Sequence, residues 1–345
     1  MCNACIWAIG CDMRNVIVIT SIFSPTSAVR QWAALSDWRV LVAGDIKTPA
    51  DWRCEPAMFI SAREQGALPF RITKHLPWNH YARKMIGYLE AVRRGARVIV
   101  DTDDDNIPKP DWSFPDFNGR HRMLSHSSKF INMYRWFTKQ HIWPRGFPLD
   151  RIGDAAVFPD ENHVRTGQVR VGIWQGLADE DPDVDAIYRM TVGAPCRFDR
   201  KDPVVLNAGT FCPFNSQNTA FVREVFPLLY LPASVSFRST DIIRGLVAQP
   251  VLWSAGYHLG FTGATVVQHR NEHDYLVDFA SEIPCYLHSE KIANAAERAV
   301  RSGVSIADNL YSAYESLARA EMIPASELTL LSDWIQDIRD VMTSS

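Results

Sequence analysis

Arg97-Val-Ile-Val-Asp-Thr-Asp-Asp-Asp105 joins a β-branched run to four carboxylates within five positions. Three successive β-branched residues favour an extended, pleated backbone, so the acids stand at the end of a strand. Packed together they repel, and the segment is at rest only when solvated or when a cation neutralises it. An acidic run is most often a solvated loop. Placed directly after an apolar strand, however, it occupies the position where α/β proteins bind ligands. Its hard oxygen donors fit Mg²⁺ or Mn²⁺, with Asp101 and Asp103 as candidate metal ligands.

Upstream, Val16-Ile-Val-Ile-Thr20, Trp38-Arg-Val-Leu-Val-Ala43 and Ala57-Met-Phe-Ile60 repeat the sequence of apolar run and polar loop. Ser24-Pro-Thr-Ser27 predicts a helix starting near Ala28. Apolar or small residues at Ala82, Met85, Ile86, Leu89 and Val92 predict another from His80 to Arg94, stopped by Gly95. Strands alternating with helices imply an α/β chain with a mainly parallel central sheet. From Pro108 to Asp160 the aromatic and Pro residues predict long loops with short helices. Further strands are expected at Val169 to Trp174, Val204 to Leu206, Thr210 to Phe214 and Ala264 to Gln268. After Ser289 the spacing turns helical, with Ile306, Leu310, Tyr314 and Leu317 on one face and a last helix from Ser326 through Met342. The expected division is an irregular segment 1–14, a single nucleotide-binding catalytic domain 15–288, and C-terminal helices 289–345 packed on it.

A chain of 345 residues with 47% hydrophobic content can bury a large core. Its net charge of −3 gives no general attraction to nucleic acid or anionic membranes, so phosphate binding must come from a local basic cluster. Seven cysteines, odd in number and scattered, suit reduced thiols better than a disulfide framework. No window approaches ~18 apolar residues, and Met1 to Asn15 lacks the features of a secretory signal. A cytoplasmic protein that does not span a membrane is expected.

Other residues fall into place around the acidic strand end. Val266-Val-Gln-His269-Arg270 ends a later apolar run, and His269 is a candidate third metal ligand that would favour Mn²⁺; the alternative is an ordinary hydrogen-bonded histidine. Arg83 and Lys84 open the helix before the acidic strand and are the best phosphate cluster, against the alternative of a solvated basic face. Asp45, with Lys47 near it, can accept hydrogen bonds from a base or ribose. Asp241, Asp183 and Asp185 are candidate general bases, although Asp241 and Arg244, one turn apart, could equally form a structural pair. The quartet Asn215-Ser-Gln217-Asn218 suits hydroxyl recognition or a turn. Trp143, Trp174 and Arg145 are candidates for the sugar or acceptor site.

Several of these segments occur together, in order, in a known family. Gly44-Asp-Ile-Lys-Thr-Pro-Ala-Asp-Trp52, Tyr81-Ala-Arg-Lys-Met-Ile-Gly-Tyr88, Ile99-Val-Asp-Thr-Asp-Asp104, Trp143-Pro-Arg-Gly-Phe-Pro148, Asp181-Pro-Asp-Val-Asp-Ala-Ile187 and Asp241-Ile-Ile-Arg-Gly245 resemble the STELLO family of glycosyltransferase-like proteins. More distantly the chain is similar to the reversibly glycosylated polypeptides that act as UDP-arabinopyranose mutases. The resemblance implies a GT-A nucleotide-diphospho-sugar fold, with Asp101 and Asp103 as its metal-binding DxD motif. It places Thr20, with Ser21 beside it, Asp45, Arg83, Lys84 and Asp103 near the nucleotide. It implies a metal-dependent glycosyltransferase acting on a UDP-linked sugar, with an unidentified glycan, lipid or protein acceptor. The alternatives are a nucleotide-sugar mutase or an assembly protein that binds the donor with little turnover. The chain departs from the plant family in reading Asp104-Asp105-Asn106 after the motif, and a membrane anchor of the plant family's kind is not expected.

Overall fold

The computed structural model describes residues 13–269 and 274–344. Most of the expected segment 1–14, with Cys2, Cys5 and Cys11, lies outside them. The chain opens with alternating strands and helices: β1 (Asn15–Ser21), α1 (Ser27–Ala33), β2 (Arg39–Gly44), β3 (Met58–Ile60), α2 (Ala62–Gln65), α3 (Lys84–Arg93) and β4 (Val98–Thr102). Thr26 caps α1 by accepting from the Val29 amide, and Gly95, at φ +93°, takes the left-handed turn after α3 that a side chain would strain. The chain continues through β5 (Asn106–Pro108), β6 (Asn118–Leu124), α4 (Tyr134–Phe137), β7 (Val164–Glu180), α5 (Ala186–Thr191), β8 (Val204–Leu206) and β9 (Asn218–Val222). It closes with α6 (Thr240–Ser254), β10 (His258–Gln268), α7 (Tyr275–Ala299), α8 (Ile306–Arg319) and α9 (Glu327–Ser344).

These strands form one ten-stranded sheet in the order β3-β2-β1-β4-β9-β7-β6-β8-β10-β5, with β7 also paired to β10. The first four are mutually parallel. Beyond them β9 runs antiparallel to both β4 and β7, and the far half mixes both senses. The expected α/β architecture is therefore present, with its all-parallel block in the half that carries the acidic strand and two further parallel pairs, β7–β10 and β6–β8, in the far half. The run 210–214 is not a strand: Phe211 makes only an isolated bridge to Phe130.

Alternation along the strands sorts the core onto two faces. Ile17, Ile19, Val40, Val42 and Val100 face the layer that holds Trp32, Trp52 and Trp112. Val16, Val18, Leu41 and Ile99 face α3 and the later helices. At Gly87 a Cβ would lie 2.6 Å from Val18, so glycine allows α3 to settle on β1. The C-terminal helices are tied to this body by buried acids. Glu327 accepts from the backbone amides of Ala233 (3.0 Å) and Ser234 (2.7 Å), and Asp337 from those of Arg71 and Ile72. The position 288/289, expected to separate sheet region from helices, falls inside α7. Among the described residues no helix is long and apolar enough to cross a membrane.

Candidate functional site

The parallel strands β1, β2 and β4 deliver Thr20, Ser21, Asp45 and the acids Asp103, Asp104 and Asp105 to one edge of the sheet, where they line a cleft of about 470 Å³. Within the aspartate run each acid has a different environment. Asp101 is fully buried, with Lys84 Nζ donating to Oδ1 at 2.8 Å and Arg244 Nη1 to Oδ2 at 2.7 Å. Burial alone would raise its carboxyl, but the two cations outweigh burial and hold it below the usual carboxylate range. Lys84 also donates to the Thr102 carbonyl (2.7 Å) and to Asp103 Oδ1 (2.9 Å). Tyr81 adds its hydroxyl to the same oxygen at 3.1 Å.

Asp103 opens into the cleft, with 31% of its side chain exposed. Burial raises its carboxyl above the ordinary value, Lys84 counters this only in part, and Asp101 and Asp241 add to the rise. Burial likewise raises Asp104, against the bond it accepts from the Ser21 hydroxyl. Asp105 accepts from Gln268 Nε2 at 3.0 Å. Asp45 accepts from the amides of Ile46 (2.6 Å) and His80 (3.3 Å) through separate oxygens, and Lys47 is exposed at the rim.

The opposite wall is built around Arg145. Its Nε and Nη2 take the two oxygens of Asp183 at 2.8 and 2.9 Å, and Nη2 also reaches Asp241 at 3.0 Å. Burial would lower the guanidinium, but the two carboxylates raise it far above its ordinary value. The Ser216 amide donates to Asp241 Oδ2 at 3.2 Å. Asp241 therefore pairs with Arg145, not with Arg244 one turn along α6. Phe237, 53% exposed, stands over the mouth with the His80 and Tyr81 rings each 5.9 Å away.

The cleft thus gathers Thr20, Ser21, Asp45, Lys47, Asp103, Arg145, Asp183, Gln217 and Asp241 from the residues marked in the sequence. Others lie elsewhere, for identifiable reasons. Arg83 is buried, donating to Gln65 and the Leu76 carbonyl with its guanidinium 3.6 Å from the Trp78 ring; burial lowers it to about 10. Neither it nor Lys84 presents a solvated basic face: the Gln65 amide oxygen and a carbonyl engage Arg83, and two carboxylates and a carbonyl engage Lys84. Asp185 caps α5 through the Tyr188 amide and accepts from Trp143 Nε1 at 2.6 Å, and burial raises it to about 6. Trp143 is thereby buried away from the cleft. Trp174 is buried against Gly260, where a Cβ would lie 2.2 Å from its ring. Asn215 and Asn218 are spent on the backbone and on Trp112 and Thr265. His269 is exposed and lines a neighbouring hollow instead. Among the described residues, no three His, Cys, Asp or Glu side chains form a metal cage.

Tyr81, Phe237, Arg238 and Gln268 were not distinguished as site residues in the sequence. Only Tyr81 carried a usable signal, lying three positions before Lys84 in a shared segment.

A sequence model of the family described as STELLO glycosyltransferases matches residues 238–344. Two Arabidopsis thaliana proteins, described as Probable glycosyltransferase STELLO2 and Probable glycosyltransferase STELLO1, are 33% identical over 285 residues and 31% over 259. These alignments cover 77% and 70% of this chain but 37% and 33% of the relatives, so the chain spans about a third of the length of the curated relatives it matches. A crystal structure of glucosyl-3-phosphoglycerate synthase from Mycobacterium tuberculosis, in complex with Mn²⁺ and uridine-diphosphate-glucose, is similar at 13% identity and a TM-score of 0.35, over 80% of this chain and 79% of that one. So loose a superposition pairs no individual residues. Through its two long alignments and the match across its C-terminal helices, the chain belongs to the STELLO family of glycosyltransferase-like proteins.

Proposed function

We propose that the cleft binds a nucleoside diphosphate sugar, with uridine as the nucleoside and Mn²⁺ or Mg²⁺ beside the diphosphate, and that the chain transfers the sugar to an acceptor hydroxyl. One observation carries this reading. Six aspartates line the cleft (45, 103, 104, 105, 183 and 241) against three cations, Lys47, Arg145 and Arg238. Arg145 is already held by two of those acids and Arg238 by Glu282. A diphosphate entering alone would meet a surplus of negative charge, whereas a hard divalent cation reconciles the two.

The residues fit such an ion. Lys84 and Tyr81 occupy Asp103 Oδ1, and among the described residues Oδ2 accepts no hydrogen bond. Asp103, with Asp105, would hold the metal. A cation kept by one or two carboxylates takes its remaining oxygens from phosphate and water, which suits a site with no three-acid cage. Asp101 is better read as the anchor of Lys84 and Arg244 than as a ligand. When bound, the ion would offset the charge that develops on the departing diphosphate.

The chain's own groups supply the rest. Asp45, the His80 ring and the exposed Phe237 offer polar and flat surfaces to ribose and base. Among the described residues Asp241 Oδ1 accepts only from Arg145, and a carboxylate oxygen has a lone pair to spare. In the transfer, the acceptor oxygen bonds to the anomeric carbon, the bond from that carbon to the diphosphate oxygen breaks, and the hydroxyl proton passes to Asp241. Arg145 keeps that carboxylate oriented, and Asp183 is its counterpart on the other side of the guanidinium. Product analysis after incubation with UDP-glucose and Mn²⁺ tests the reading. Release of UDP supports it; an unchanged donor, or one whose sugar has only been rearranged, overturns it.

A further inference from the structure

A second hollow, of about 430 Å³, adjoins the cleft, and Gln268 lines both. The partition is made of amides: Gln217 Nε2 donates to the Asp181 carbonyl at 3.2 Å and to the Gln268 side chain. Arg189 forms part of the hollow's wall with only 7% of its side chain exposed. Its Nη1 pairs with Asp181 and its Nη2 donates to the Pro182 carbonyl at 3.1 Å. Its Nε is buried and has no hydrogen-bond partner among the described residues. A buried donor left unsatisfied is costly unless a ligand supplies the acceptor.

The surroundings limit what that ligand can be. Asp181 is paired with Arg189 and Glu180, also in the wall, with Arg197, so the charges around the hollow are already matched and a phosphate or carboxylate would gain little there. A hydroxyl, both donor and acceptor, satisfies the arginine and the acids together. Tyr188, the 40%-exposed Tyr275 and Pro195 add flat apolar faces suited to the C–H surface of a sugar ring.

We propose that this hollow is the acceptor subsite, and that it receives the end of an uncharged carbohydrate whose hydroxyl is led past Gln268 towards Asp241. The proposal rests on the transferase reading of the adjoining cleft. Saturation-transfer NMR with cellotriose, maltotriose, mannotriose and xylotriose, beside glucose 6-phosphate and glucuronate, tests it on the full chain and on the Ala194→Trp and Arg189→Met variants. Ala194 is exposed on the rim, so the tryptophan fills the hollow without entering the core. The expected result is binding of at least one neutral trisaccharide, weakened about ten-fold in both variants. Binding confined to the charged sugars, unchanged binding in both variants, or binding of none of them overturns it. A parallel titration with UDP-glucose separates the two readings. Trisaccharide binding without nucleotide-sugar binding supports the subsite and removes the transferase; nucleotide-sugar binding without trisaccharide binding does the reverse.

Discussion

Arg244 Nη1 donates to Asp101 Oδ2 at 2.7 Å across 143 positions of sequence, and Lys84 closes the other oxygen of the same carboxylate. All three side chains are buried, so the acid of the shared motif is a charge anchor for the strand end. Asp101→Asn leaves two buried cations short of an anion and should destabilise the fold by about 3–5 kcal/mol. Asp103→Asn, at the open side, should cost less than about 1 kcal/mol. Urea denaturation of both variants checks the contrast, and equal losses would remove the distinction.

Asp185 tests the electrostatics away from the cleft. Burial raises its carboxyl to about 6 in the folded chain, above the unfolded value near 3.9. The folded state therefore binds this proton more tightly, and the acid's contribution is most favourable below about pH 4 and is lost as pH rises to about 6. Asp185→Asn removes that dependence. Relative to wild type, the variant should gain on the order of 2–3 kcal/mol between pH 4 and pH 7, read from denaturation midpoints across that range.

From the sequence Asp241 is the first candidate base, with Asp183 and Asp185 in reserve; of Asp241 and Asp185, only Asp241 lines the cleft. Asp241→Asn should lower turnover by ~10²–10⁴ with donor affinity little changed. Asp185→Asn should leave turnover within about three-fold of wild type. Donor-consumption rates at saturating donor decide this, and normal turnover in Asp241→Asn ends its assignment.

Arg83 is expected to act on the fold. Its guanidinium lies between Gln65, the Leu76 carbonyl and Trp78, so Arg83→Met should lower the melting temperature and weaken uridine and UDP by equal factors. A loss confined to UDP would put the side chain back at the diphosphate.

The β-branched runs at 16–20, 38–43 and 97–100 were legible because a buried parallel strand is apolar on both faces. Strand β6 was not: Asn118-Gly-Arg-His-Arg122 is partly exposed and carries no apolar alternation. Strand β9 was hidden because it begins at Asn218, a polar residue whose buried amide meets Trp112 and Thr265. In the site, the acidic strand end and Asp45 follow from local pattern. The Arg145 clamp does not, since Asp183 and Asp241 lie 38 and 96 positions away. Lys84 shows the same limit: a basic residue near acids reads as a phosphate ligand until its ammonium is found already surrounded by oxygens.

The most direct measurement is calorimetric titration of UDP-glucose into wild type and Asp103→Asn, each with Mn²⁺ and with EDTA. In wild type Mn²⁺ should tighten binding by about ten-fold or more, and in Asp103→Asn that difference should vanish while the melting temperature holds. Equal affinity in Mn²⁺ and EDTA for wild type, or a Mn²⁺ effect that survives in Asp103→Asn, would contradict a metal-assisted donor site at the end of β4.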